Sequence, residues 1–387
     1  MAKLTFFFIL LTKIKNIIIY PHCKMKISDI INYLEELAPN SYQESYDNSG
    51  LIVGNQDNDF KKGMVCFDIT ENTLQEAIDN NMNLIISHHP FLFHSIRAVT
   101  GKTLVERLLI KAIKHDISIY AMHTNLDNVY EGVNHYMSKK LLLNELSILR
   151  PQQKNLKKII TYVPDVYAEK VRNALFDAGG GKIGNYDSCS FNLQGMGTFK
   201  ANEAANPFVG QKGKIHFENE IRMEMIFPAH KENQIIKSLL ENHPYEEPAY
   251  DIYLMENQNP MVGSGMKGML NKPVSEFDFL NNLKTQLDVT IVMHSNPQQR
   301  IIKQVAFCGG SGAFLIPDAI KQKADVFVTG EIHYHDFINF AGDIFLVSIG
   351  HYESEHAIKH YLCEKLIEKF TTFAVSKTET NPVNYLY

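Results

Sequence analysis

Residues 83–90 read Asn83-Leu84-Ile85-Ile86-Ser87-His88-His89-Pro90. A short apolar run stops at a serine, two imidazoles follow, and a proline breaks the pattern. Such a run, bounded by breakers, is the signature of a buried strand. The neighbouring segments repeat the grammar. Met64-Val65-Cys66-Phe67-Asp68-Ile69 predicts a strand, 71–80 a helix capped by Thr70, 103–115 a helix, 117–122 a strand and 129–143 a helix. Strand and helix patterns in alternation predict a largely parallel sheet flanked by helices.

The alternation returns near the C-terminus: strands at 302–307, 325–329 and 344–349, a helix at 313–323, and a long amphipathic helix at 352–370. The region between differs. A strand at 159–163 leads through Pro164-Asp165 into a helix that ends at Gly179-Gly180-Gly181. Strands at 190–193 and 221–227, a helix at 231–242 and a strand at 249–254 complete it. That β-α-β-β-α-β order predicts a ferredoxin-like α+β module. Polar, Pro- and Gly-containing stretches at 150–155 and 256–265 mark its edges. The expected fold class is therefore α/β: two similar α/β halves, 25–150 and 258–387, form one unit, interrupted by an inserted module at 151–257.

Residues 1–24 stand apart. Phe6-Phe7-Phe8-Ile9-Leu10-Leu11 after Lys3 resembles the apolar core of a signal peptide, but Lys13 and Lys15 interrupt it and no small-residue cleavage site follows. A spanning helix needs about 20 mostly apolar residues. The pattern changes at Met25, where an amphipathic helix begins with Ser28 as its expected N-cap. Met25 is the expected start and 1–24 a misassigned or dispensable extension; secretion is the competing reading.

The chain has 387 residues, 45% hydrophobic and 21% charged, enough for about two or three domains with buried cores. A formal charge of −5 argues against a generally basic nucleic-acid binder. Five scattered cysteines without a C-x-x-C pair fit free thiols of a reducing compartment, hence the cytoplasm, and not a disulfide framework.

Two further strand ends carry the same chemistry: His123-Thr124-Asn125-Leu126-Asp127 and Gly350-His351-Tyr352-Glu353-Ser354-Glu355-His356. Functional groups of open parallel sheets gather at carboxyl strand ends. His88 and His89 would face opposite ways inside a strand, but at its end both can turn into one cavity. His351 and Glu355, four apart at a helix start, share a face. Taken singly, each has an ordinary structural explanation: a core histidine, a helix-face hydrogen bond, or an Asx-turn at Asp127. Together His88, His89, Asp127, His351 and Glu355 are too many ligands for one tetrahedral ion with an open position. They fit two divalent ions (Zn, Mn, Fe, Co or Ni) sharing Asp127. His123, His333, His335 and His356 are supporting or substrate candidates, and Glu331 or His333 is the candidate general acid or base. Gly101-Lys102-Thr103 is no P-loop, because Ile96 sits where its first glycine belongs. Cys308-Gly309-Gly310-Ser311-Gly312 reads either as a tight strand-to-helix turn or as a phosphate contact.

These segments, with Ser45-Tyr46-Asp47-Asn48-Ser49-Gly50-Leu51 and 325–336, resemble the GTP cyclohydrolase 1 type 2 homologue family, the Nif-three-like dinuclear-metal hexameric proteins. The resemblance covers nearly everything from Met25 onward. It implies that the same five residues bind two divalent metals, and that the protein is a homohexameric toroid with its metal sites facing an internal cavity. It further implies that residues 155–257, including His243-Pro244-Tyr245-Glu246-Glu247-Pro248, form a PII/CutA-like insertion. The functional expectation is a metal-dependent hydrolase of a nucleotide or another phosphorylated small molecule, with GTP ring opening implied by the family name. The alternative is a non-catalytic hexameric metal-binding adaptor or sensor. Binding of DNA within a ring draws little support from the net charge, and no membrane association is expected.

Overall fold

A computed structural model describes residues 25–386; the expected extension at 1–24 lies outside the described residues. In chain order the strands are β1 (Gly50–Val53), β2 (Gly63–Cys66), β3 (Leu84–Ser87), β4 (Ser118–Ala121), β5 (Asn144–Pro151), β6 (Leu156–Pro164), β7 (Phe191–Lys200) and β8 (Ile215–Pro228). They continue with β9 (Tyr250–Leu254), β10 (Gly263–Ser275), β11 (Met293–His294), β12 (Ile301–Cys308), β13 (Val326–Thr329), β14 (Phe345–Ser348) and β15 (Phe373–Val375).

Three sheets result, ordered β1-β4-β3-β2-β15, β11-β14-β13-β12-β10-β5 and β7-β8-β6-β9. In the first, β2, β3 and β4 run parallel, with Val65, Ile86 and Tyr120 side by side. All residues of these strands are buried, as helix-covered parallel strands require. The crossover helices Glu71–Asp79 and Leu104–Lys114 start where hydroxyls cap them: Thr70 Oγ1 accepts the Thr73 N–H at 3.1 Å, and Thr103 Oγ1 the Glu106 N–H at 3.3 Å. In the second sheet only β12, β13 and β14 are parallel; β5, β10 and β11 pair antiparallel. The similarity of the halves is therefore confined to their parallel centres.

The halves also exchange strands. β5, from the N-terminal stretch, pairs with β10 in the second sheet, and β15, near the C-terminus, runs parallel to β2 in the first. One core cluster joins Val65, Ile86 and Tyr120 of the first sheet to Val305, Val328 and Val347 of the second. Each such side chain contributes about 1.5–3 kcal/mol on full burial.

The third sheet shows the β-α-β-β-α-β order, with every strand pair antiparallel and helices Ala168–Asp177 and Glu232–Asn242 closing its own cluster around Val171, Met225 and Ile235. It leaves and re-enters the second sheet at register partners, Pro151 and Gly263.

Several local expectations are corrected. The first helix, Ile27–Leu37, starts before Ser28; Lys26 is its cap residue, and its N–H is taken by the Asp29 carboxylate at 2.8 Å. The helix expected over 129–143 is limited to Val133–Lys140, and Leu142, at φ +57°, turns the chain into β5. The long C-terminal helix is two, His351–Glu355 and Ile358–Lys369. Among the described residues no helix is long and apolar enough to cross a membrane.

Candidate metal centre

Beyond β3 the chain still tracks β2: His88 N–H donates to Cys66 O at 3.2 Å and His89 N–H to Phe67 O at 3.0 Å. Ser87 Oγ donates to His89 O at 2.8 Å, tightening the strand end. Both rings face the space between the sheets, their centroids 5.0 Å apart. From the second sheet, the helix His351–Glu355 follows β14 after Gly350, which sits at φ +95°. Asp127 ends the single helical turn Thr124–Asp127 that follows β4.

Each ring is held from behind. His88 Nδ1 donates to Met122 O at 2.8 Å, and since a carbonyl only accepts, Nε2 carries the free lone pair. His89 Nδ1 meets Asp68 Oδ1 at 2.8 Å, and His351 Nδ1 meets Glu331 Oε1 at 3.1 Å. His123 follows the same plan, with Nδ1 2.7 Å from Asp47 Oδ1. A carboxylate or carbonyl behind each imidazole is how metal-ligating histidines are oriented.

In front of the rings, Glu355 Oε2 lies 3.8 Å from His88 Nε2, 3.5 Å from His89 Nε2 and 3.2 Å from His351 Nε2. Asp127 Oδ1 is 3.8 Å from His88 Nε2. His88 Nε2, His89 Nε2, Asp127 Oδ1 and Glu355 Oε2 are all buried and all lack a hydrogen-bond partner. Leaving one such atom unsatisfied costs about 1–3 kcal/mol; four converging on one space need a shared partner. Ligands about 2.1 Å from a tetrahedral ion stand roughly 3.4 Å apart, so the observed separations fit a divalent cation. The buried group His88, His89 and Glu355 offers three ligand atoms mutually within 4.8 Å.

The electrostatics agree. Burial pushes the Glu355 carboxyl up, but the His351 and His89 rings outweigh it and hold its pKa well below the usual range. Asp127 is driven well above its ordinary value by burial and by the Glu355 charge. Burial lowers His88 to about 3 and opposes protonation of His89 too, but Asp68 and Glu355 raise His89 to about 10. Two carboxylates facing one another with opposite displacements are what a divalent cation between them would reconcile.

The structure thus brings His88, His89, Asp127, His351 and Glu355 together. Glu331 sits behind His351 and also accepts the Ser311 hydroxyl, so it is placed to hold a ligand. The exposed His333 has its N–H on Asp336 Oδ2 at 3.1 Å and lines a separate cavity of about 400 Å³ with Ser311, Glu331 and Phe340. The ring of His356 stacks on Tyr352 at 4.5 Å, and His335 is exposed. The glycine turn is not an anion cradle. The N–H groups of Gly309, Gly310 and Gly312 donate to Asn134 Oδ1, Ser354 Oγ and Thr329 Oγ1. Its glycines instead make room for Glu355: a Cβ on Gly310 would lie 2.5 Å from Glu355 Oε1.

Sequence reasoning passed over Asp68 and Asp47. Asp68 carried a usable signal, a carboxylate just past the end of a parallel strand. Asp47 had none, since its partners His123 and Thr124 are remote in sequence.

The model of the family described as Duf34/NIF3 (NGG1p interacting factor 3) matches residues 25–382. A Bacillus subtilis protein named "GTP cyclohydrolase 1 type 2 homolog" is 36% identical over 368 residues, covering 92% of this chain and 98% of its own. A Halalkalibacterium halodurans protein of the same name is 35% identical over 373 residues, covering 94% and 100%. The solved Bacillus cereus protein related to NIF3 superposes with a TM-score of 0.84 at 32% identity, covering 94% of this chain and 100% of that one. A Staphylococcus aureus structure gives 0.74 at 28% identity, covering 95% and 100%. With the fold matched over its length and the sequence over all but the first residues, the chain belongs to the DUF34/NIF3 family.

Proposed function

We propose that this chain is a dinuclear divalent-metal protein and, through that centre, a hydrolase of a nucleotide or a related phosphorylated small molecule. The observation carrying the proposal is the set of four buried, unpartnered ligand atoms on His88, His89, Asp127 and Glu355. His88, His89, Asp127, His351 and Glu355 would together hold the two ions. Such ions supply Lewis acidity toward an imidazole carbon or a phosphoryl group. Asp68, Met122 O and Glu331 fix the three rings so that their lone pairs face inward.

A flat substrate is favoured by the rings beside the centre. Tyr46 and Phe93 stack at 6.5 Å, and Phe93 lies 5.8 Å from His123. The relatives' name, GTP cyclohydrolase 1 type 2 homolog, agrees with a purine nucleotide. The same reading carries the homohexameric toroid, the PII/CutA-like character of the inserted region, its division from 25–150 and 258–387, and a cytoplasmic location.

One observation favours a non-catalytic adaptor or sensor. Glu331 is committed to His351 and Ser311, and among the described residues His333 makes no hydrogen bond or ion pair to the centre, so neither proton-transfer candidate is poised on it. Turnover of GTP by the metal-loaded chain and its Asp127→Asn variant, with formate and ring-opened product assayed, separates the two. Activity lost in the variant supports the hydrolase. No turnover from protein holding two metals removes GTP and favours the adaptor.

A further inference from the structure

The segment following β15 crosses the edges of both sheets at the candidate metal centre. Glu76, on the helix Glu71–Asp79, fastens its beginning by accepting from Ser376 Oγ at 2.7 Å, Lys377 N–H at 2.9 Å and Thr378 Oγ1 at 2.8 Å. Three residues later Glu379 is inserted between the sheets. Its Oε1 accepts two consecutive backbone N–H groups, Phe67 at 2.8 Å and Asp68 at 2.7 Å. Its Oε2 accepts from Lys359 Nζ at 2.8 Å. Farther on, Asn381 Nδ2 donates to Glu353 Oε1 at 2.8 Å, on the short helix that carries His351 and Glu355.

The Glu379 and Lys359 side chains are 2% and 7% exposed. A buried ion pair is poor evidence of stability, because desolvation offsets much of the attraction. Its placement is informative instead. Fixing the N–H groups of Phe67 and Asp68 fixes the backbone from which both side chains leave. Asp68 holds His89, and the Phe67 ring stacks on His88 at 5.4 Å and 14° and lies 4.4 Å from His89. On the other side Lys359 leads the helix Ile358–Lys369, just after His351 and Glu355, and its ammonium lies 5.8 Å from the Tyr352 ring centre. Burial works against that ammonium, yet the bond to Glu379 holds its pKa above the ordinary lysine value.

We propose that residues 376–381 form a strap that aligns the two ligand-bearing edges, with Glu379 as its positioning residue: it sets Asp68 and Phe67, and through them His89 and His88. This rests on the reading of the centre as a metal site. Glu379 touches no ligand and acts one residue removed from it, which puts its effect at the low end of that seen for groups behind metal ligands, about tenfold in affinity.

The test uses Co2+ as the probe, titrated into the full metal-free chain, with affinity, stoichiometry and the visible ligand-field spectrum recorded. Glu379→Ala is expected to weaken Co2+ binding about tenfold and to change the spectrum. Because that variant leaves Lys359 buried without its partner, Glu379→Ala/Lys359→Met is measured beside it and is expected to show the same loss. The thermal midpoint of the metal-free protein is followed in parallel. A purely structural role would lower that midpoint and leave the spectrum of the bound Co2+ unchanged, and that result overturns the proposal. So does wild-type affinity, within about twofold, in a folded double variant. Failure of the wild-type chain to take up Co2+ instead overturns the metal-site reading beneath it, so the two failures are distinct.

Discussion

Replacing Asp68 by alanine removes the carboxylate that takes the His89 Nδ1 proton at 2.8 Å. The ring then loses what fixes its tautomer and its orientation toward Glu355 Oε2, which lies 3.5 Å from Nε2 in the unsubstituted chain. Losing a group behind a metal-binding imidazole costs about 10–100-fold in affinity, or about 1.4–2.8 kcal/mol at 1.4 per tenfold. Asp68→Asn keeps an oxygen acceptor and loses only the charge, so it belongs at the lower end. The effect is magnified in a thermal scan. Metal at 100 times its wild-type dissociation constant stabilises the fold by about 2.7 kcal/mol, and after a hundredfold weakening only about 0.4 kcal/mol remains. Zn2+ competition against a chromophoric chelator, with calorimetric midpoints at fixed free Zn2+, reads both quantities. The expected order of affinity is wild type, then Asn, then Ala. An alanine variant within twofold of wild type would refute the role assigned to Asp68.

Metal binding should strengthen with pH. His89, raised to about 10 by Asp68 and Glu355 against the pull of burial, keeps its proton in the metal-free protein, whose stability gains from it fully below about 6.5 and loses that gain as pH rises through 10. Metal needs the bare nitrogen, so the apparent affinity should rise about tenfold per pH unit between 6 and 8, with roughly one proton released from His89; calorimetry in two buffers of different ionisation enthalpy that detects no proton release would contradict it. Gly310→Ala should cost about 1 kcal/mol or more at φ +60° and weaken Co2+ binding, since its Cβ would lie 2.5 Å from Glu355 Oε1. Urea unfolding and metal titration check this, and undiminished Co2+ affinity would show that the turn does not shape the site.

The parallel centres of both sheets were legible because β2, β3, β4, β13 and β14 are buried on every residue, and such strands read as unbroken apolar runs. The five residues now gathered between the sheets were found for a related reason, since each stands just past such a strand. β5 and β10 were hidden because their antiparallel pairing leaves many residues half-exposed, which weakens the apolar signal. β15 has only three residues, and its place beside β2 is a long-range fact. Two of the pairings behind the histidines were illegible for the same reason: nothing local in Asp47 announces His123, and nothing in Glu331 announces His351. The glycine turn at 308–312 misled because spacing shows that N–H groups are available, and only packing shows that Asn134, Ser354 and Thr329 have already claimed them.

Pro151 and Gly263 are opposite one another in the antiparallel pair β5–β10. To the second sheet, everything between them is the turn of a hairpin. The free-energy cost of closing a loop grows only logarithmically with its length, and a loop that folds on its own core brings its ends together without charging that cost to the host. A two- to five-residue turn joining Pro151 to Gly263 would satisfy the same pair of strands. At that junction the sheet that leads into His351 and Glu355 therefore makes one demand on whatever lies between, a short turn or a folded stretch: that its ends meet at Pro151 and Gly263.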